Sequence, residues 1–279
     1  MHIEKNIVLY RNNQKPIVID TFCNLKLQNQ PIVIFCHGYK GFKDWGAWNI
    51  MAKAFADAGF CFMKFNFSHN GGTAENPIDF PDLDAFGNNN YTKELDDLGD
   101  VIDWSFDKFK NNGAVDTSKI YLIGHSRGGG IAILKTAEDS RIKKLTTLAS
   151  VCDFEMRTAT IGNLEQWKKD GVKYVINGRT KQQMPHYYQF YEDFIQNKER
   201  LNIKSACENI KVPQLIIHGD ADTSINVEEA ENIHQWNSNS QLKVICGANH
   251  VFNVKHPWEN TNLPEEFEEI IDNMIQFLK

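Results

Sequence analysis

A serine set between two glycines is the first group in this chain whose surroundings could make it reactive. It lies in Gly124-His125-Ser126-Arg127-Gly128, after the apolar run Ile120-Tyr121-Leu122-Ile123 and before Ile131-Ala132-Ile133-Leu134. The run suits a strand buried on both faces, and the segment after it suits a helix packed back on the sheet. A strand-turn-helix this sharp strains the serine backbone, and side chains at positions 124 and 128 would collide with strand and helix. The hydroxyl is thereby lifted clear of the sheet, above the free amides of a helix start. A serine hydroxyl alone is a weak nucleophile. It needs an imidazole to take its proton and a carboxylate to orient that imidazole.

Both partners have candidates near strand ends. Among nine histidines, His250 is preferred because it leaves the last predicted strand, 242–246, whereas His218, His234 and His256 would need a displaced geometry. Three aspartates compete for the acid: Asp153 after an earlier strand, and Asp220 and Asp222 after the run that starts at Pro213. An unused aspartate in the 218–222 turn would be a turn former. Upstream, His37-Gly38-Tyr39 follows the buried strand 32–36, and such a loop can turn the Tyr39 amide toward the space above Ser126.

The elements that must position these groups alternate. Strands are predicted at 7–10 and 17–20, as an antiparallel edge, then at 32–36, 60–65 and 145–149. Helices are predicted at 44–58, 92–109, 227–236 and 264–278, and a long polar loop at 68–90 borders the site. Strands alternating with helices imply right-handed crossovers and a mainly parallel sheet. From 152 to 206 the alternation stops. A hairpin is predicted at 172–180, around Asn177-Gly178, and a helix after Pro185 rich in Tyr187, Tyr188, Phe190, Tyr191 and Phe194. These rings either face a substrate or form the segment's own small core. The expected organisation is a core of 1–151 and 207–279 with a cap at 152–206.

Composition narrows the class. Of 279 residues, 42% are hydrophobic and 24% charged, as in a folded globular protein, and the formal net charge is −6. No block of Lys or Arg is dense enough for a phosphate backbone, so no nucleic-acid partner is expected. Apolar runs are strand-length, short of the roughly 20 residues that span a bilayer, so no membrane partner is expected either. The first residues do not read as a signal peptide. The six cysteines are scattered without a Cys-x-x-Cys and are expected to be reduced core thiols of a cytoplasmic protein. Oligomeric state is not legible.

Together, the His37-Gly38-Tyr39 loop, the Gly124–Gly128 elbow, the His218-Gly219-Asp220-Ala221-Asp222 turn and the Ala248-Asn249-His250 loop resemble the α/β-hydrolase superfamily. The resemblance covers nearly the whole chain apart from the cap. It implies an α/β-hydrolase fold and the order nucleophile, acid, histidine, which Ser126, Asp222 and His250 follow. It selects Asp222 through the His-Gly-x-x-Asp spacing. It also implies an oxyanion hole from the backbone amides of Tyr39 and Arg127, each donor worth about 3 kcal/mol in the transition state; the Arg127 side chain has no assigned role. Within the superfamily the chain is most similar to small cytoplasmic esterases of the dienelactone-hydrolase and cinnamoyl or feruloyl esterase kind. The activity so implied is that of a carboxylesterase acting on a small-molecule ester, with no metal and no organic cofactor. Rivals are a serine peptidase, favoured if Glu165, Glu192 and Asp193 bind a substrate amine, a thioesterase, and a binding protein that has kept only the fold.

Overall fold

A computed structural model describes residues 1–159 and 162–279. The centre is β3 (Gln30–Cys36), beside β5 (Val115–His125) and β4 (Cys61–Asn66), all three parallel. Residues Ile32, Ile34 and Cys36 of β3 face one apolar layer, Val33 and Phe35 the other. A strand covered on both faces has no polar side to show, which is why it reads as a continuous apolar run. The sheet continues through β6 (Ile142–Leu148), β9 (Gln214–Gly219) and β10 (Ser240–Ile245), in parallel. On the far side, β2 (Gln14–Cys23) pairs antiparallel with β4, and β1 (His2–Arg11) with β2. Among the described residues the order is β1-β2-β4-β3-β5-β6-β9-β10. The mainly parallel sheet with an antiparallel edge is as the alternation predicts.

Two helices cover one face. These are α1 (Trp48–Asp57) and α10 (Glu265–Leu278), whose Trp48, Phe55, Phe267 and Met274 sit in one apolar cluster with Phe35 and Phe62. On the other face lie α3 (Tyr91–Phe109), α4 (Arg127–Glu138) and α9 (Val227–Trp236). Helix α1 begins four residues later than predicted. Gly46 holds φ at 57°, outside the helical region, so 44–47 form turns instead. Asn90 caps α3 by accepting from the Lys93 amide. The 68–90 segment is a loop as expected, broken by the short α2 (Leu83–Gly87), which Asp82 caps by accepting from the Ala85 amide.

Between β6 and β9 the chain forms α5 (Phe154–Ala159), α6 (Leu164–Asp170), the hairpin β7 (Val172–Ile176) and β8 (Gln183–Tyr187), α7 (Gln189–Gln196) and α8 (Ile203–Asn209). The hairpin is longer than predicted: Asn177 opens a six-residue connection in which its amide bonds the Gln182 carbonyl. Pro185 and Tyr187 belong to β8, and the aromatic helix starts only at Gln189.

The expectation of six free thiols is corrected at two positions: Cys23 and Cys61 form a disulfide. The antiparallel register of β2 on β4, which sets Phe22 opposite Phe62, brings the next pair face to face with Cα atoms 4.4 Å apart. That register is set by the whole sheet. Cys36, Cys152, Cys207 and Cys246 are unpaired, and only Cys246 is exposed. Among the described residues no helix is long and apolar enough to cross a membrane.

Three buried charges and one partly buried one also fasten the edge of the sheet to the segment leading into α1. Lys43 and Lys64 have fully buried side chains and share Asp20 and Asp44, at 2.5–2.8 Å. Both ammonium groups find both carboxylates, which such burial requires; losing one partner would cost about 3–5 kcal/mol. Lys43 also donates its amide to Asn66 Oδ1 at 2.6 Å. The loop of residues 37–43 is thus fixed at its far end.

Candidate active site

Ser126 stands at the turn between β5 and α4 with φ 56° and ψ −121°, a conformation that side chains rarely adopt. The turn closes only because its neighbours lack side chains. A Cβ on Gly124 would lie 2.3 Å from the Gly128 carbonyl oxygen, and one on Gly128 would lie 2.5 Å from the carbonyl oxygens of Cys36 and His37. The Ser126 amide donates to the Leu148 carbonyl of β6, tying the turn to the neighbouring strand. Arg127 opens α4, so its amide is among those a helix start leaves without an intrahelical acceptor.

The structure brings Ser126, His250 and Asp222 together. The Ser126 hydroxyl lies 3.1 Å from His250 Nε2, and His250 Nδ1 lies 2.7 Å from Asp222 Oδ2. Asp222 follows β9, and its Oδ1 accepts from the amides of Ser224 and Ile225. Its Oδ2 also lies 3.3 Å from Nε2 of the buried His218. Burial opposes ionisation of this carboxyl, but the hydrogen bonds from His218 and His250 outweigh it and hold the group well below the usual carboxylate range. The other two aspartates do different work. Asp220 Oδ1 accepts from the Gly247 amide in an exposed turn, and Asp153 Oδ1 accepts from the Glu155 amide at the start of α5.

Neighbours that the sequence leaves unassigned hold these groups. His125 donates from Nε2 to the His250 carbonyl at 2.9 Å. Burial pushes the His125 imidazole down to about 3, so it is neutral. The Arg127 guanidinium lies 4.4 Å from the Tyr39 ring centroid, 5.3 Å from Tyr91 and 5.5 Å from Phe190, and 3.4 Å from the buried Glu94 carboxylate. Asn89 donates to the same carboxylate at 2.6 Å. The signal for Glu94 was present in the sequence: it lies on the stripe of Tyr91, Leu95, Leu98 and Ile102 that α3 buries, where a carboxylate needs a cation.

Two cavities meet at Ser126. One, of about 420 Å³, is lined by Tyr91, Arg127, Phe154, Val175 and Ile225 among others. The second, of about 120 Å³, is bounded by His37, Gly38, Trp45, Trp48 and His125. Tyr39, Ser126 and His250 border both. The aromatic side chains of 187–194 line neither cavity. Phe190 and Phe194 pack on Tyr91 of α3, and Tyr188 and Tyr191 on Trp167 of α6, so these four rings join the main apolar core rather than a separate one. Among the described residues no group of three or more His, Cys, Asp or Glu side chains is arranged to hold a metal ion.

The turn-borne serine, the imidazole and the carboxylate thus meet at the carboxyl ends of parallel strands in an α/β fold. The chain belongs to the alpha/beta hydrolase fold family, whose model matches residues 31–174. Among solved structures it is similar to Est1E from Butyrivibrio proteoclasticus, with a TM-score of 0.71 and 16% identity over 97% of each chain. Est1E is also known with ferulic acid bound. A putative dienelactone hydrolase from Klebsiella pneumoniae has a TM-score of 0.61 and 14% identity, over 99% of this chain and 98% of that one. At such identities the likeness is one of fold. In sequence the chain is 27% identical over 128 residues to an uncharacterized 31.7 kDa protein of Escherichia coli, a match that spans 44% of this chain and 38% of that protein.

Proposed function

We propose that the protein is a serine hydrolase that cleaves small carboxylic esters through an acyl-enzyme. The observation that carries this reading is the hydrogen-bonded series Ser126 Oγ, His250 Nε2, His250 Nδ1, Asp222 Oδ2, at 3.1 and 2.7 Å. In the first step Ser126 Oγ attacks the ester carbonyl carbon while His250 Nε2 takes the hydroxyl proton. The C–O bond to the alcohol then breaks, and the imidazolium returns that proton to the departing oxygen. In the second step water, deprotonated by His250, attacks the acyl carbon; the bond from that carbon to Ser126 Oγ breaks, the imidazolium returns its proton to Oγ, and the acid leaves. Asp222 stabilises the imidazolium, and its depressed carboxyl keeps it ionised throughout. The amides of Tyr39 and Arg127 hold the oxyanion, a role supported by the contact of Gly38 with Ser126 and by the position of Arg127 at a helix start.

The large cavity supports an ester over a peptide with a free amine. Arg127, Arg157 and Lys173 are among its lining residues, whereas Glu165, Glu192 and Asp193 are not. Asp193 instead accepts from the Thr92 hydroxyl at 2.8 Å. A cytoplasmic setting draws support from the four unpaired cysteines, while the Cys23–Cys61 disulfide suits an oxidising one better.

The test is labelling by a fluorophosphonate together with turnover of p-nitrophenyl and methyl-cinnamate esters, their thioester counterparts and aminoacyl anilides. The reading expects labelling and ester turnover in wild type, and neither in Ser126→Ala. Unlabelled wild-type protein would leave a hydrolase fold used for binding; faster turnover of anilides or thioesters would replace the substrate class.

A further inference from the structure

We infer that His186, on the insertion's hairpin, is a positioning residue for acyl transfer, acting through the side chain of Tyr39. The inference rests on the serine-hydrolase reading above and assigns a part of that same site.

The loop that carries the Tyr39 amide is held at both ends, by the Phe67 amide on His37 Nε2 and by the Lys43 amide on Asn66. Between those ends it contains Gly38 and Gly41, and it meets the elbow where Gly38 approaches Ser126 and where the His37 carbonyl approaches Gly128. The Tyr39 side chain adds two further ties. Its ring face lies 4.4 Å from the Arg127 guanidinium, so the residue after the serine grips the residue after Gly38. Its hydroxyl lies 2.8 Å from His186 Nε2, a contact spanning 147 residues of sequence. The two residues proposed to hold the oxyanion are therefore coupled by one side-chain contact, and the outer end of that contact is fixed by the insertion.

The chemistry of the pair favours one arrangement. Burial raises the Tyr39 phenol to about 12, so it keeps its proton and donates. Burial pushes His186 down to about 4, so its imidazole is neutral, and a donating phenol selects the tautomer in which Nε2 accepts and Nδ1 carries the proton. His186 is itself held on two sides. Its carbonyl accepts from Trp167 Nε1 of α6 at 2.7 Å, and its ring meets Phe86 of α2 edge-on at 5.5 Å. The hairpin thus passes its position to Tyr39, and Tyr39 to the amide that faces the reacting carbonyl. Displacing an oxyanion donor by about 1 Å can cost about 100-fold in rate without weakening ground-state binding.

The test compares wild type with His186→Leu, His186→Gln, Tyr39→Phe and the Tyr39→Phe/His186→Leu pair, each normalised to active sites titrated with a fluorophosphonate. His186→Leu and Tyr39→Phe are expected to lower kcat about 10- to 100-fold with KM within about threefold. The double variant should be no slower than the slower single, because both remove the same bond. His186→Gln, whose amide oxygen can accept, should recover most of the loss. The inference is overturned by unchanged kcat, by a change confined to KM, by losses that multiply in the double variant, or by His186→Gln being as slow as His186→Leu. Wild-type protein that takes no label removes the serine-hydrolase reading and this inference with it; labelled wild type with unaffected variants removes this inference alone.

Discussion

Gly38 and Ser126 nearly touch: a Cβ added at residue 38 would stand 2.8 Å from the Cβ of the serine and 3.1 Å from the His125 carbonyl oxygen. Both neighbours belong to the tight turn and cannot retreat, so the loop itself must move. Gly38→Ala is expected to lower kcat about 100-fold by shifting the Tyr39 amide. The accompanying loss of stability should be only about 1–3 kcal/mol. Steady-state kinetics beside a urea melt separate the two, and an alanine variant with wild-type kcat would show that the loop contact is immaterial to the reaction.

The strain at Ser126 is measurable apart from its chemistry. Its φ of 56° with ψ −121° costs about 1–3 kcal/mol, and glycine escapes most of that while losing about 0.5–1 kcal/mol to chain entropy. Ser126→Gly and Ser126→Ala should both be inactive, with the glycine variant more stable by about 1 kcal/mol. Denaturant midpoints at equal m-values give the comparison. Identical midpoints would limit the relieved strain to the roughly 0.5–1 kcal/mol of chain entropy that glycine loses.

Acid should unfold the protein through its buried imidazoles. Burial pushes His37 to about 4, His125 to about 3 and His186 to about 4, against about 6.5 in an unfolded chain. Below pH 6.5 the unfolded chain takes up protons that the folded chain refuses, so stability falls with pH, down to the folded values. Each histidine contributes up to about 1.4 kcal/mol per pH unit. Asp97, whose carboxyl burial raises to about 6, works in the opposite sense between pH 6 and 4, as do Glu94 and Asp193, both raised by burial, while His69, pushed down to about 4, and His256, also lowered, add to the histidine side. Asp222, held low, contributes fully above the unfolded carboxyl value of about 3.9 and is lost only below it. Urea melts between pH 8 and 4.5 should be flat near neutrality and steepen below 6.5, less so in His186→Gln. Equal slopes in that variant and wild type would contradict this account.

Arg127 and Glu94 should behave as a unit. Their side chains are 13% and 5% exposed, so removing the cation strands a buried carboxylate. Arg127→Met is expected to destabilise by about 3–5 kcal/mol, and adding Glu94→Gln should restore most of it. Chemical denaturation of the two variants decides the matter. A double variant as unstable as the single would assign the cost to lost packing on Tyr39, Tyr91 and Phe190.

What the sequence reveals depends on how local the cause is. The parallel core is legible because each strand and helix carries its own periodicity. Ser126 and His250 can be singled out because each sits in a short pattern at a strand end, whereas Asp222 competes with Asp153 and Asp220 until the family resemblance selects it; His250 lies within hydrogen-bond reach of both Ser126 and Asp222. The insertion is less legible. Whether Phe190 and Phe194 face a cavity or a core is decided by Tyr91, about a hundred residues earlier. The Cys23–Cys61 pair depends on a sheet register that no pattern near either cysteine specifies. The shared burial of Lys43 and Lys64 depends on Asp20 and Asp44 arriving from separate elements. The late start of α1 comes down to one backbone angle at Gly46.

Under the serine-hydrolase reading, the unequal spaces beside Ser126 make it a partition as well as a nucleophile. On one flank about 420 Å³ is available to a long or branched portion of a substrate; on the other, about 120 Å³ holds only a few non-hydrogen atoms. A molecule lengthened toward the roomy flank still fits, and the same addition at its opposite end meets Trp45 and Trp48. The serine-hydrolase reading therefore expects size selection on one side alone, with the indoles of Trp45 and Trp48 as its wall.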